Sequence, residues 1–341
     1  KEKQKTKTTL QGFYKIAALK EMEKCILEGL LDKACFWATE LDISGHSKML
    51  WKRLLKIACT DINCANPNLP NLLWSSCFLF QDLTKYKEAL YNNQSWRNHV
   101  CQMVVTLCLS SKQKLPKFPN WKKDDPMKLE DIQGRILQKD IRGLDDILKL
   151  NDHRIIYIPI NEIHAAIMHN KDVQKTRTHV FFWLSYILEI ERRNKSYSLC
   201  VSRHIPHISP KCHREIVWVI WQVVFKFLQN QKSKHPHHEK LTRSVEHLYK
   251  CFRLEYCPGA RRQKLPFLMY ALTIIMDTVP PIDFSKPVQV RYDIELAVVS
   301  HVNLLYKQTY EAAKKHRLAL TPGDEAHTDR ACIPKNILFL P

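Results

Sequence analysis

The sequence predicts an all-α fold: a multi-helix bundle in two packed helical subdomains, with at most one or two short strands. Three observations carry this prediction. Glycine is scarce, 7 residues in 341, so few positions take positive φ cheaply and a turn-rich sandwich or barrel is disfavoured. Long segments free of Gly and Pro are rich in Leu, Ile, Lys and Glu, which suit helix. Apolar residues recur within them at near-helical spacing. The apolar fraction, 45%, is enough to bury a sizeable core.

The elements follow in order. Residues 1–9 are a polar, Lys-rich lead. Phe13, Ile16, Ala17, Met22, Cys25, Ile26 and Leu30 mark a first helix, with Gly29 near its end, and a second runs from about 33 to 41. Gly45 and Ser47 mark a turn, with Ser47 as the expected N-cap of a helix carrying Met49, Leu50, Leu54, Ile57 and Ala58. Asn66-Pro67-Asn68-Leu69-Pro70 breaks the chain. Helices then read over 72–80 and 97–109, and a short helical part over 127–150. Arg154-Ile155-Ile156-Tyr157-Ile158 is the one strand candidate, β-branched and aromatic, closed by Pro159. Further helices read over 162–169, 175–191, 214–228, 241–253, 263–278 and 290–316. Lysines and prolines cluster in residues 111–126, so the expected division is an N-terminal helical domain (1–110), a basic linker (111–126), a C-terminal helical domain (127–320) and a tail (321–341) ending in apolar 337–340.

Charge bounds the partners. Lys and Arg number 53 against 34 Asp and Glu, a formal +19. Nucleic acid, anionic lipid headgroups or acidic protein surfaces would each satisfy it. The basic candidates for partner or phosphate contact are Lys112, Lys114, Lys117, Lys122 and Lys123 in the linker, and Lys232, Lys234, Arg261, Arg262 and Lys264 further on. The last group lies in the stretch 226–264, where Phe252 and Tyr256 interleave with the cations. Stacking rings amid such charge suit single-stranded nucleic acid, whereas rings turned inward would leave one charged helix face. The twelve cysteines sit largely in apolar helical contexts, as at Cys25, Cys35, Cys59, Cys101 and Cys108. There a free thiol acts as a small core hydrophobe, which fits a reducing compartment.

No catalytic signature occurs: neither of the glycine-rich nucleotide cradles, no nucleophile elbow and no paired-histidine zinc helix. The expectation is therefore a non-enzyme without a small-molecule substrate. Cys200, His204, His207 and Cys212, with His213 beside them, form the most tempting metal cluster, since both residue types ligate zinc, whereas the His-rich spot at His235, His237 and His238 reads as a solvated connector. The cluster lacks a CxxC knuckle, and Pro206 and Pro210 make the segment irregular, so a loop with incidental His and Cys outweighs zinc.

The run from Ala18 to Gly29, ALKEMEKCILEG, is followed by Ala34-Cys35-Phe36-Trp37-Ala38-Thr39-Glu40-Leu41, then Ser44-Gly45-His46 and Leu50-Trp51. Together with the Asn66–Pro70 break, this resembles a family of virion-associated proteins of nucleocytoplasmic large DNA viruses. Ordered, weaker matches extend to about 278, among them Pro159-Ile160-Asn161-Glu162-Ile163, Phe182-Trp183 with Glu189, Ile216–Trp221, and Arg261-Arg262. The chain departs from the family's pattern at Ile62-Asn63-Cys64-Ala65 and at Lys52-Arg53-Leu54-Leu55, which marks it as divergent. The resemblance implies a minor capsid or inner scaffold protein, found in the virion and at assembly sites in the host cytoplasm. Its partners would be the major and other minor capsid proteins, with the inner membrane surface a further one. A fainter likeness, through Arg53–Ala58 and Asp61-Ile62, is to the collar domain of clamp-loader-like ATPases, which oligomerises and carries no chemistry. The alternative function is a nucleic-acid-binding or replication-associated helical protein using its basic surface on phosphates.

Overall fold

The structure, a computed structural model, describes residues 7–319 except 87, 120, 123, 124, 126, 128, 139, 142, 170, 171, 195, 232–236, 278–281, 286, 289 and 290. Among the described residues it is all-α. The only β pairing there is an isolated bridge between Thr8 and Tyr14. No helix in them is long and apolar enough to cross a membrane. Two compact units form, one from 1–113 with 285–341 and one from 114–284.

The first unit holds α1 (Lys15–Glu28), α2 (Leu31–Leu41), α3 (Ser47–Ile57), α4 (Leu69–Leu83), α5 (Gln94–Leu109) and α11 (Tyr292–Ala319). The helix α1 ends where Gly29 turns left-handed, φ 72°, and its N–H and that of Leu30 return to the last-turn carbonyls of Ile26 and Cys25. Gly45, φ 77°, makes the corner between α2 and α3. Ser47 does not cap α3. Its hydroxyl donates instead to the buried carboxylate of Asp42, which already serves other donors. Both α2 and α5 pack on α1 and on each other. The core includes Met22, Ile26, Phe36, Leu41, Leu50, Leu54, Val100 and Val104, with Trp51 stacked on Phe80 and edge-on to Trp96.

The second unit holds α6 (Tyr157–Met168), α7 (Val173–Arg193), α8 (Val217–Gln231), α9 (His238–Arg253) and α10 (Arg261–Met276). Pairs α6–α7, α6–α8, α9–α10 and α8–α10 pack together. Trp183, Trp218, Trp221, Tyr186 and Phe252 fill the interior, as expected for aromatic anchors in apolar helices.

Three expectations are corrected. The strand candidate Arg154–Ile158 is a 3₁₀ turn (Arg154–Ile156) running into the first turn of α6. Ile156, Ile160, Ile163 and Ile167 are all buried, and that helical spacing overrides their β propensity. Pro159 does not end the element. It occupies the first helical turn, where its missing N–H costs nothing. The described residues of 127–150 are not regular helix; they hold a 3₁₀ segment (Leu129–Arg135) and irregular backbone.

Third, the domain division is not sequential. The helix α11 belongs with the first unit, packing Val298, Val302, Leu305, Tyr306 and Ala313 onto α2 and α5. The expected linker is not a free connector either. Phe118 lies against Phe181, and Trp121 sits on Phe182 and Tyr186 with its indole donating to Ser185, so this stretch is laid along α7.

Candidate interaction surface

The predicted basic residues separate into spent and exposed cations. Lys112 Nζ donates to the carbonyls of Leu107, Cys108 and Ser110 at 2.9, 2.8 and 2.5 Å. It therefore caps the C-terminus of α5, where a cation opposes the helix dipole. Arg261 is bonded to Glu191 and lies 3.8 Å from Glu215, whose carboxylate also accepts the Tyr256 hydroxyl at 2.7 Å. Glu191 accepts the Ile216 N–H at 2.8 Å, so this cluster ties together α7, α10 and the start of α8. Lys264 donates to the Cys251 carbonyl and lies over the Phe267 ring. Lys114, Lys117, Lys122 and Arg262 are exposed, as is Lys112, whose ammonium is nonetheless tied to the carbonyls of its own helix end. Lys123, Lys232, Lys234 and His235 lie outside the described residues.

Phe252 and Tyr256, the rings a stacking groove would need, are buried against Trp218 and each other. Lys240, Arg243 and Lys250 lie exposed on the outer face of α9 while Leu241, Val245 and Leu248 face inward. Within that stretch α9 is an amphipathic helix with a basic outer face.

The zinc candidates do not converge. Among the described residues no group of three or more His, Cys, Asp or Glu side chains is placed to hold a metal. Cys200 is buried and its thiol donates to the Arg214 carbonyl at 3.0 Å. Burial pushes the Cys200 thiol up to about 12 and the Cys212 thiol up to about 11. His213 instead bonds the Ile208 carbonyl at 2.9 Å and packs edge-on to His204, while His207 is exposed with φ 64°. What holds this segment is a residue the sequence did not single out. Arg203, withdrawn from water, grips Asp152 through two bonds of 3.0 and 2.6 Å and also donates to the carbonyls of Val201 and Ile147.

A shallow cavity of about 300 Å³ lies in the second unit between α6, α7 and residues 137–138. Its one buried acid, Glu162, accepts the N–H groups of Leu137 and Gln138 at 3.0 and 2.7 Å and meets His179 Nε2 at 2.7 Å. Both carboxylate oxygens are thereby occupied in anchoring the 137–138 segment and orienting an imidazole. The geometry is that of a clamp on the backbone.

The feature that sequence reading missed is the outer face of α11. Its inner face packs within the first unit, yet Tyr292, Leu296, Leu304 and Tyr310 stay 67, 57, 50 and 54% exposed. Tyr292, Leu296 and Tyr310 lie along one line of this 28-residue helix, with Leu304 to the side of it. The available signal was a second apolar stripe, Tyr292, Leu296, Val299 and Tyr310, beside the one that packs inward.

Comparison with protein-family models, with curated proteins and with solved structures finds no match to this chain.

Proposed function

We propose that the chain is a structural component of a large DNA virus particle, a minor capsid or inner scaffold protein making contacts beneath the capsid shell. The observation that carries this reading is the partition of its cations. One set is used internally, at Lys112, Arg261, Lys264 and Arg203, whereas Lys114, Lys117, Lys122, Lys240, Arg243 and Arg262 face outward. An outward excess of positive charge on well-packed helical units suits docking onto acidic faces of neighbouring shell proteins or an anionic membrane surface. The sequence resemblance centred on Ala18–Trp51 names the same class.

Lysine-directed cross-linking of intact particles tests it. Lys114, Lys117 and Lys122 are expected to link to shell proteins, and Lys114→Glu with Lys117→Glu is expected to lower incorporation several-fold. Recovery of the chain with the genome instead, released by nuclease and sensitive to salt, would favour the nucleic-acid alternative.

A further inference from the structure

The outer face of α11 has a second, more specific property. Along the helix the positions Tyr292, Leu296, Val299, Asn303, Lys307, Tyr310 and Lys314 form one seam, each three or four residues from the next, the spacing of paired helices. All are exposed except Val299, which is half-buried. The seam is symmetric about Asn303. Reversing it exchanges Tyr292 with Lys314, Leu296 with Tyr310, and Val299 with Lys307, and sets Asn303 opposite itself.

We infer that α11 is the interface of a homodimer, in which two copies of the helix pair antiparallel about a two-fold axis at Asn303. An isologous contact requires each residue to complement its mirror position, and this seam does so. The Lys314 ammonium lies on the Tyr292 ring, a cation–π pair. Leu296 packs on the Tyr310 ring, and the Lys307 stem covers Val299 while its charge reaches water. An Asn amide both donates and accepts, so two copies satisfy each other, and a single central Asn fixes register. Formal charge also selects the direction. Asp293 is paired with Arg291 and Glu295 accepts from Gln102, so the selection comes from Lys307, Lys314 and Lys315 at the other end of α11. Parallel pairing stacks these lysines on their own copies, whereas antiparallel pairing keeps them apart. Glu311 is compensated within its own helix by Lys307 and Lys315, each one turn away.

The contact is small. The helix is about 42 Å long at 1.5 Å per residue, and each exposed tyrosine offers roughly 100 Å². That falls short of the roughly 1,200 Å² at which stable interfaces begin, so the dimer is weak and dissociates on dilution. The inference rests on the assembly reading in one respect, that exposed apolar positions mark contacts, and names a second copy as one partner.

The test is the mass of the full chain in solution, by sedimentation or light scattering, across concentration. The wild type is expected to rise from 40.2 kDa towards twice that value. Leu296→Glu and Tyr310→Lys, both at exposed positions, are each expected to leave it monomeric with unchanged circular dichroism. Combining them is expected to restore the dimer, because the introduced carboxylate of one copy then meets the introduced ammonium of the other. A wild type that stays at 40.2 kDa at every concentration overturns the inference. So does a dimer indifferent to both single substitutions, or a double variant that stays monomeric. These outcomes are independent of the particle experiment: a monomer can still be a shell component, and a dimer can still be absent from particles.

Discussion

Asp152 and Arg203 lie 51 positions apart in sequence, and both side chains are withdrawn from water, at 0 and 2% exposure. Burial by itself would raise the Asp152 carboxyl. The Arg203 guanidinium and the N–H groups of Lys149 and Val201 override that and hold it below the usual carboxylate range. With its folded value depressed, the carboxyl contributes stability above about pH 3.9, and the contribution is lost as pH falls further through the folded value. Arg203→Met strands a buried carboxylate and is expected to cost ~3–5 kcal/mol in urea unfolding. Arg203→Lys also loses, because an ammonium cannot make both parallel bonds. A loss below ~1 kcal/mol for the Met variant would contradict this account.

His99 behaves oppositely. It is packed against Trp51, its Nε2 has no partner among the described residues, and burial pushes the imidazole down to about 4. A base with a depressed folded value is charged more readily when unfolded, so stability falls as pH drops from about 6.5 towards 4, by up to ~3 kcal/mol. His99→Phe is expected to flatten the pH dependence of the unfolding midpoint in that window; an unchanged slope would assign it to other groups. Neither role was legible in the sequence, since partners so distant in the chain leave no local pattern. The residues that carried the family resemblance were legible, but as packing. Glu40 accepts both the backbone and side-chain N–H groups of Gln11, His46 bonds the Thr8 carbonyl, and Trp51 is core.

At the scale of elements, periodicity located most helices to within a few residues, and the failures share one cause. Local propensity was read where tertiary burial decides. Arg154–Ile158 is β-branched enough for a strand, but Ile156 and Ile160 are buried one helical turn apart, and His153 accepts the Ile155 N–H to start the turn. Ser47 suited an N-cap until Asp42 claimed its hydroxyl. Gly29 was legible because a helix end commonly takes a left-handed residue there. Its φ of 72° costs little for glycine alone. Gly29→Ala is expected to lower stability by ~1 kcal/mol in chemical denaturation. No backbone atom lies closer than 3.8 Å to the added Cβ, so the loss is conformational rather than steric. A neutral substitution would mean the helix ends elsewhere.

For the whole molecule, composition gave the fold class because it is a sum over many residues. Glycine scarcity and helical spacing hold whatever the details of packing. Composition could not give the division into units. That α11 returns to the first unit depends on Tyr306, whose hydroxyl donates at 2.8 Å to Asp42, 264 residues earlier, beside the indole of Trp96 on the same carboxylate. Charge was legible in total and not in place. Which lysines are free to meet a partner depends on which carbonyls and carboxylates lie within reach, as Lys112 and Arg261 illustrate. The outward cations and the seam on α11 are the two features on which the proposed role, a protein held by neighbours, rests.

The most direct measurement of that central claim is the amount of the chain retained by purified particles after the genome is removed and the salt raised. The account predicts retention in fixed proportion to the major capsid protein, with release only when the shell itself comes apart. Loss of the chain together with the nucleic acid, from shells that remain closed, would contradict it.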